Sequence, residues 1–260
     1  MKELRHKAFA NGIVYALETD DGFPIETTDT FLPIETRDAI GRHQNALSSR
    51  NLGSRAERWM IGVSVMSGCP VRCKFCATGS LKRWRRLTAS EIVEQFSFVL
   101  GRRSERFGDA MEHKINYTRM GEPFLNLDAV RHAITSIEAA WPGTHHYVST
   151  IGVKGSDFSW IRDNITLQIS LHALDEKRRD ELIPWNNKLS ISDLGKIRTG
   201  SRLKTTLNLT LCEERDFDID MLKKHFDPAY FFVKLSPINP NAVSDAHGLG
   251  NGVIMGVNMQ

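Results

Sequence analysis

From Trp59 onward the chain alternates strand-like and helix-like segments at short spacing, a pattern that restricts it to a parallel sheet covered by helices. Trp59 to Met66 (WMIGVSVM) is a continuous apolar run of strand length. A cysteine-rich loop follows, and Thr88-Ala89-Ser90-Glu91 is a capping box that opens an amphipathic helix to about Leu100. The unit then recurs. The pattern predicts strands over His113 to Arg119, Tyr147 to Thr150, Ile165 to Leu171, Lys204 to Leu211 and Tyr230 to Leu235. It predicts helices over Leu127 to Ala140, Asp157 to Arg162, Glu176 to Leu182, Ile191 to Ile197 and Ile219 to His225. Repetition on this scale predicts an α/β fold, a curved partial (β/α)6 barrel of TIM type, with a doubly wound open sheet as the alternative.

Reactive groups of such folds collect in the loops that leave the C-terminal ends of strands. Those loops here hold Cys69 to Cys76, Gly121-Glu122-Pro123, Ser149-Thr150, Ser170-Leu171-His172 and Asn239, so they are expected to converge on one mouth. Residues 1–57 alternate short apolar runs with turn chemistry, including a strand at Ile13 to Leu17, a turn at Asp20-Asp21-Gly22 and a loop at Arg50 to Ser54. The expected division is therefore an N-terminal β-containing extension over 1–57, a core over 58–240, and a Gly- and Asn-rich tail over 241–260.

Three of the four cysteines lie within eight residues, which suits a reducing compartment where clustered thiols bind metal rather than each other. No apolar run approaches a membrane span, and the basic N-terminus is not followed by the apolar stretch of a secretory signal, so a cytoplasmic location without membrane association is expected. The net charge of +3 does not by itself argue for nucleic acid. Lys82, Arg83, Arg85 and Arg86 around Trp84 make one locally basic stretch, readable as a solvated face or as a phosphate and RNA contact.

Thiolates at the C-x3-C-x2-C spacing of Cys69, Cys73 and Cys76 can bind three irons of a [4Fe-4S] cubane and leave the fourth iron free for a small ligand. Zinc is the alternative. It prefers four closed ligands and would need Cys212 or a histidine to complete the set.

The run Cys69-Pro70-Val71-Arg72-Cys73-Lys74-Phe75-Cys76 resembles the radical SAM signature, C-x3-C-x-aromatic-C. The segments Phe75 to Gly79, Leu87 to Gln95, Met120 to Asn126, Ser149 to Gly152 and Ser170 to Ala173 further resemble, in order, the RlmN/Cfr family of RNA adenine C-methyltransferases. The resemblance implies a radical SAM barrel in which a cluster on Cys69, Cys73 and Cys76 binds S-adenosylmethionine and cleaves it to a 5'-deoxyadenosyl radical. It implies that Gly121 and Glu122 hold the methionine amine, that Ser149, Ser170 and His172 line the cofactor, and that Asn239 meets its adenosine part. An external electron donor, flavodoxin-like or ferredoxin-like, is expected as a partner. Each residue also has a structural reading: Gly-Glu-Pro as a turn, Ser149 as a strand-end hydroxyl, His172 as a histidine satisfied at a helix entrance.

The sequence departs from that family at two cysteines. Gly62 stands seven residues before the cluster motif, where the family carries a thiol, and the segment expected to hold the methyl-carrying cysteine would follow Gln260. Glu26 resembles the family's proton-accepting glutamate. Cys212 reads as a buried core thiol, with a chemical role as the alternative. The leading expectation is hydrogen abstraction from an unidentified substrate, with RNA methylation and a non-catalytic metal-binding remnant as alternatives.

Overall fold

A computed structural model describes residues 1–34 and 52–250, so part of the expected 50–54 loop and half of the 241–260 tail lie outside the described residues. The chain divides into two compact units, Met1–Ser67 with Arg85–Tyr147, and Gly68–Trp84 with Val148–Gln260.

The first unit begins with β1 (Lys2–Phe9), β2 (Gly12–Glu18) and β3 (Pro24–Leu32), an antiparallel series. Alternation decides which face is buried. Tyr15, Leu17 and Ile25 are buried, while the residues of β1 are almost all exposed, as befits an outer strand. β3 then pairs antiparallel with β4 (Arg58–Gly62). Short strands β5 (Met66–Ser67) and β6 (Arg85–Arg86) pair with each other. The helix α1 (Ala89–Leu100) opens on the capping box expected from its sequence, the Thr88 hydroxyl accepting from the Glu91 amide and the Glu91 carboxylate from that of Thr88. Strand β7 (Glu112–Tyr117) pairs parallel with β4, and α2 (Leu127–Ala140) lies against α1 and buries Val130, Ala133, Ile134 and Ile137.

The apolar run Trp59 to Met66 does not form one strand. β4 stops at Gly62, and the buried amide of Gln95 takes over beyond it, accepting from the Ser64 N–H (2.8 Å) and donating to the Ser64 carbonyl (2.9 Å). One side chain from α1 thus satisfies backbone groups that a neighbouring strand would otherwise pair.

The chain crosses into the second unit within β8 (His145–Thr150). There β9 (Ile165–Ser170), β10 (Thr205–Thr210) and β11 (Phe231–Ser236) form parallel pairs, with α3 (Glu176–Leu182), α4 (Ile191–Leu194), α5 (Ile219–His225) and α6 (Ala242–Ala246) between and after them. Side-chain caps set all four of these starts: Asp175, Ser190, Asp218 and Asn241 each accept from an amide of the first turn. No helix forms over Asp157 to Arg162. The Asp157 carboxylate accepts from the Ser159 amide (2.8 Å) and hydroxyl (3.0 Å), closing a local turn in place of a helical one.

The architecture is mixed α/β with parallel strand pairs in both units. Among the described residues, no helix is long and apolar enough to cross a membrane.

Candidate active site

In the second unit the cysteine loop is drawn tight by backbone bonds. Cys76 N–H donates to the Cys73 carbonyl (3.1 Å), Gly79 N–H to the Cys76 carbonyl (3.2 Å), and Lys74 N–H to the Leu182 carbonyl at the end of α3 (2.9 Å). The Asn241 amide, which also caps α6, donates to the Phe75 carbonyl (3.1 Å). Cys69, Cys73 and Cys76 are half-buried and form no disulfide among the described residues. Arg72, between two of them, has φ of 55°, a conformation that costs a non-glycine residue energy and persists only when its surroundings impose it.

His172, just past β9, has the same kind of strain, with φ of 61°. Among the described residues, these are the two non-glycine positions with positive φ. The loop and this strand end meet directly: the Phe75 and His172 rings lie 4.5 Å apart, centroid to centroid. Burial pushes the His172 imidazole down to about 3, with the Arg179 charge adding to the effect, so the ring is neutral at physiological pH. Its Nδ1 accepts from the Thr210 amide (3.1 Å), which leaves Nε2 to carry the proton. Ser149 and Ser170, on β8 and β9, place their hydroxyls 3.4 Å apart. Asn239 is exposed after β11, and its carbonyl accepts from the Asn241 amide (2.8 Å).

Gly121, Glu122 and Glu26 belong to the first unit. Gly121 has φ of 100°, and a Cβ there would come within 2.5 Å of the Met66 side chain and 2.9 Å of its amide, so glycine is required on two grounds. Glu122 is buried, and one carboxylate oxygen accepts from the Phe124 amide (3.1 Å) to cap a short 3-10 turn. It therefore has a local structural task besides any ligand role. Replacing Glu122 with Gln keeps an acceptor for that amide and removes the charge. The expected result is an unchanged melting temperature with S-adenosylmethionine affinity reduced at least tenfold, read by calorimetry on the wild type and variant.

Glu26 is ion-paired with Arg119. The Arg119 side chain crosses the space above Gly62, where a Cβ would meet the Thr28 hydroxyl at 2.4 Å and Arg119 Cδ at 2.9 Å. The position that carries a thiol in the resembling family is thus closed by neighbours. Gly62→Cys alone is expected to destabilise the fold by about 1–3 kcal/mol, as overpacking does. Adding Thr28→Ala, which removes the nearer obstacle, should recover most of that loss in urea unfolding, and an equal loss in both variants would show that Thr28 is not the obstacle.

Cys212 is buried, its thiol donates to the Thr210 carbonyl (3.7 Å), and burial raises it to about 11. It is an inert thiol at neutral pH. Beside it, Arg178 is paired with Asp216 (2.7 Å), Glu213 (2.8 Å) and Glu181 (3.2 Å).

Among the described residues, no three His, Cys, Asp or Glu side chains converge as a ready site for a single ion. A cubane asks for something else, one thiolate on each of three separate irons, and three half-buried thiols on one tightly wound loop match that demand. The donor chemistry also fits, because thiolates are the ligands such clusters take. Sequence reading missed two residues that hold this region, Asn241 and Arg179. Asn241 stood only as the first residue of the Gly- and Asn-rich tail, and Arg179 carried no sequence signal beyond its charge.

The chain resembles the radical SAM methyltransferases in both fold and sequence. A crystal structure of a radical SAM methyltransferase from Sphaerobacter thermophilus superposes with a TM-score of 0.68 at 26% identity, covering 92% of this chain and 67% of that one. Within that class the chain is similar to proteins named dual-specificity RNA methyltransferase RlmN. The one from Helicobacter hepaticus is 32% identical over 216 residues, 81% of this chain and 51% of the relative. The one from Chlorobium phaeobacteroides, named "Probable dual-specificity RNA methyltransferase RlmN", is 33% identical over 177 residues, 65% of this chain and 49% of the relative. The chain thus spans about half the length of these relatives. No protein-family profile matches it. The resemblance supports an enzyme of the radical SAM class, a class that implies a [4Fe-4S] cluster and S-adenosylmethionine.

Proposed function

We propose that this chain is a radical SAM enzyme that modifies an adenine of RNA, with a partial (β/α)6 barrel as its scaffold. The observation that carries the reading is the packing of Phe75, inside the cysteine motif, against the strained His172 at the end of β9. Two sequence features far apart in the chain, each expected at the cofactor, are neighbours in one compact unit. The RNA part of the reading rests on the relatives, whose names specify RNA methylation.

Cys69, Cys73 and Cys76 would hold the cluster. When bound, the cluster supplies the electron that cleaves S-adenosylmethionine to methionine and a 5'-deoxyadenosyl radical. The protein's part is positional. Phe75 and the neutral His172 present an apolar, uncharged wall beside the motif, which excludes water from a radical site. His172 has an Nε2–H to donate, and the paired hydroxyls of Ser149 and Ser170 offer donors and acceptors of the kind a ribose or carboxylate takes. Gly121 and Glu122 are assigned to the methionine amine, and Asn239 to the adenosine part. An external flavodoxin-like or ferredoxin-like protein is the expected electron source. Glu26, held by Arg119, is a carboxylate with a fixed partner, so as a proton acceptor it would have to part from a guanidinium.

The test is transfer of label from methyl-labelled S-adenosylmethionine to RNA by anaerobically reconstituted protein under dithionite. Labelled adenine supports the reading; cleavage of the cofactor with unlabelled RNA contradicts its RNA part. A second reading, hydrogen abstraction from a substrate other than RNA, is favoured by one observation: Gly62 offers no thiol, and Arg119 and Thr28 close the space. Cofactor cleavage that is stimulated by a small molecule and not by RNA would select it.

A further inference from the structure

Arg179, in the middle of α3, has one of the largest fully buried side chains among the described residues. Its two terminal nitrogens donate to neutral backbone carbonyls, one to Leu189 (2.8 Å) and one to Ile151 (2.6 Å). Its Nε–H has no hydrogen-bond partner. Among the described residues it makes no ion pair, whereas Arg178, the preceding residue, meets three carboxylates. Glu176 and Asp180, on the same helix, act on Arg179 by their charge without contacting it, and each has another partner: Glu176 accepts from the Ile191 amide (2.5 Å), and Asp180 is paired with Lys188.

A guanidinium cannot escape burial by losing its proton at neutral pH, and a buried cation without a counter-charge costs several kcal/mol. Burial draws Arg179 down to about 10, which still leaves it charged at physiological pH. A compensating anion is therefore expected close by. The helix that carries Arg179 is tied to the cysteine loop between Cys73 and Phe75 by the Lys74 to Leu182 bond, and the acidic groups whose charge acts on Arg179 are Glu176, Asp180 and then Cys73, the one of the three that lies outside its helix. A cubane held by three thiolates is net anionic and gains one more negative charge on reduction.

We propose that Arg179 is the built-in counter-charge of the cluster on Cys69, Cys73 and Cys76, a positioning residue that favours the reduced cluster through its field. The inference rests on the assignment of the cluster to those three cysteines. Its full burial and its commitment to two backbone carbonyls keep it off the substrate, so its effect is electrostatic and structural. The carbonyls it grips, after β8 and before α4, also tie those two loops to α3. Removing the charge should therefore make the cluster harder to reduce, since an unscreened charge in a low-dielectric interior acts strongly on its neighbours.

The experiment is an EPR-monitored redox titration of reconstituted full-length protein without S-adenosylmethionine, comparing wild type, Arg179→Gln and Arg179→Lys. Arg179→Gln is expected to disfavour the reduced cluster about tenfold, a shift of about 59 mV to more negative potential for a one-electron couple. Arg179→Lys keeps the charge but loses the fork, and its potential should stay within about threefold of wild type in the same equilibrium. Equal potentials for wild type and Arg179→Gln would overturn the proposal. So would equal shifts in the two variants, or failure of both to assemble the cluster, because either outcome assigns Arg179 to structure alone. A wild type that binds no cluster would instead overturn the cluster assignment itself, and this inference with it.

Discussion

Cys73→Ala is expected to abolish cluster assembly and cofactor cleavage together while leaving the fold intact. The side chain is half-buried and the loop around it is held by backbone bonds, so loss of the thiol removes a ligand without removing the loop's supports. Two thiolates cannot hold a cubane stably, and the visible absorbance of the reconstituted protein should vanish with the EPR signal of its reduced form. Circular dichroism and the melting temperature of the apoprotein should match wild type. A variant that keeps its cluster and still cleaves S-adenosylmethionine would remove Cys73 from the ligand set.

The largest effect on stability is expected from Asp29→Asn. Asp29 lies on β3, fully buried, and accepts from Arg55 through Nε (3.1 Å) and a terminal nitrogen (2.8 Å), from Arg103 Nε (2.5 Å) and from the Trp59 indole (2.8 Å). One carboxylate therefore neutralises two largely buried guanidinium groups and satisfies the N–H of a fully buried tryptophan. Asparagine keeps the size but loses the charge, and its NH2 points a donor at donors. Breaking a buried pair by removing one partner costs about 3–5 kcal/mol, because the remaining charges stay buried. Urea unfolding should show a loss of that size with little change in the m-value. A loss under about 1 kcal/mol, the range of an exposed salt bridge, would mean that water reaches this cluster.

Much of the fold was legible because its signals are local. Helices α3 and α5 occupy the segments their sequences predict, since Asp175 and Asp218 cap them and charged residues crowd their exposed faces. The Thr88 to Glu91 capping box placed α1 for the same reason. Where the reading failed, a side chain from elsewhere or a local competitor had intervened. Gln95 ends the strand expected to reach Met66, and Asp157 folds its own turn where a helix was expected. The antiparallel pairing of β1 to β3 depends on partners spread over some thirty residues, so short apolar runs alone did not reveal it.

The candidate site divides along the same line. Cysteine spacing is a local property and names its residues directly, whereas the Phe75 and His172 contact and the backbone strain at Arg72 and His172 exist only in three dimensions. Gly62 illustrates the difference. The sequence shows a missing thiol; the structure shows that Thr28 and Arg119 have closed the place it would need. Arg179 had no sequence signature because its significance lies in full burial without an acidic partner, and one charged residue among several on a helix gives no hint of that.

The central claim is that the three-cysteine loop starts radical chemistry on S-adenosylmethionine. Anaerobic reconstitution with iron and sulfide, followed by dithionite reduction in the presence of S-adenosylmethionine, tests it in one measurement: the yield of 5'-deoxyadenosine per protein chain. Wild type is expected to give 5'-deoxyadenosine and methionine in equal amounts over multiple turnovers, and Cys73→Ala to give none. Protein that carries a full [4Fe-4S] complement by Mössbauer spectroscopy and still yields no 5'-deoxyadenosine would contradict it.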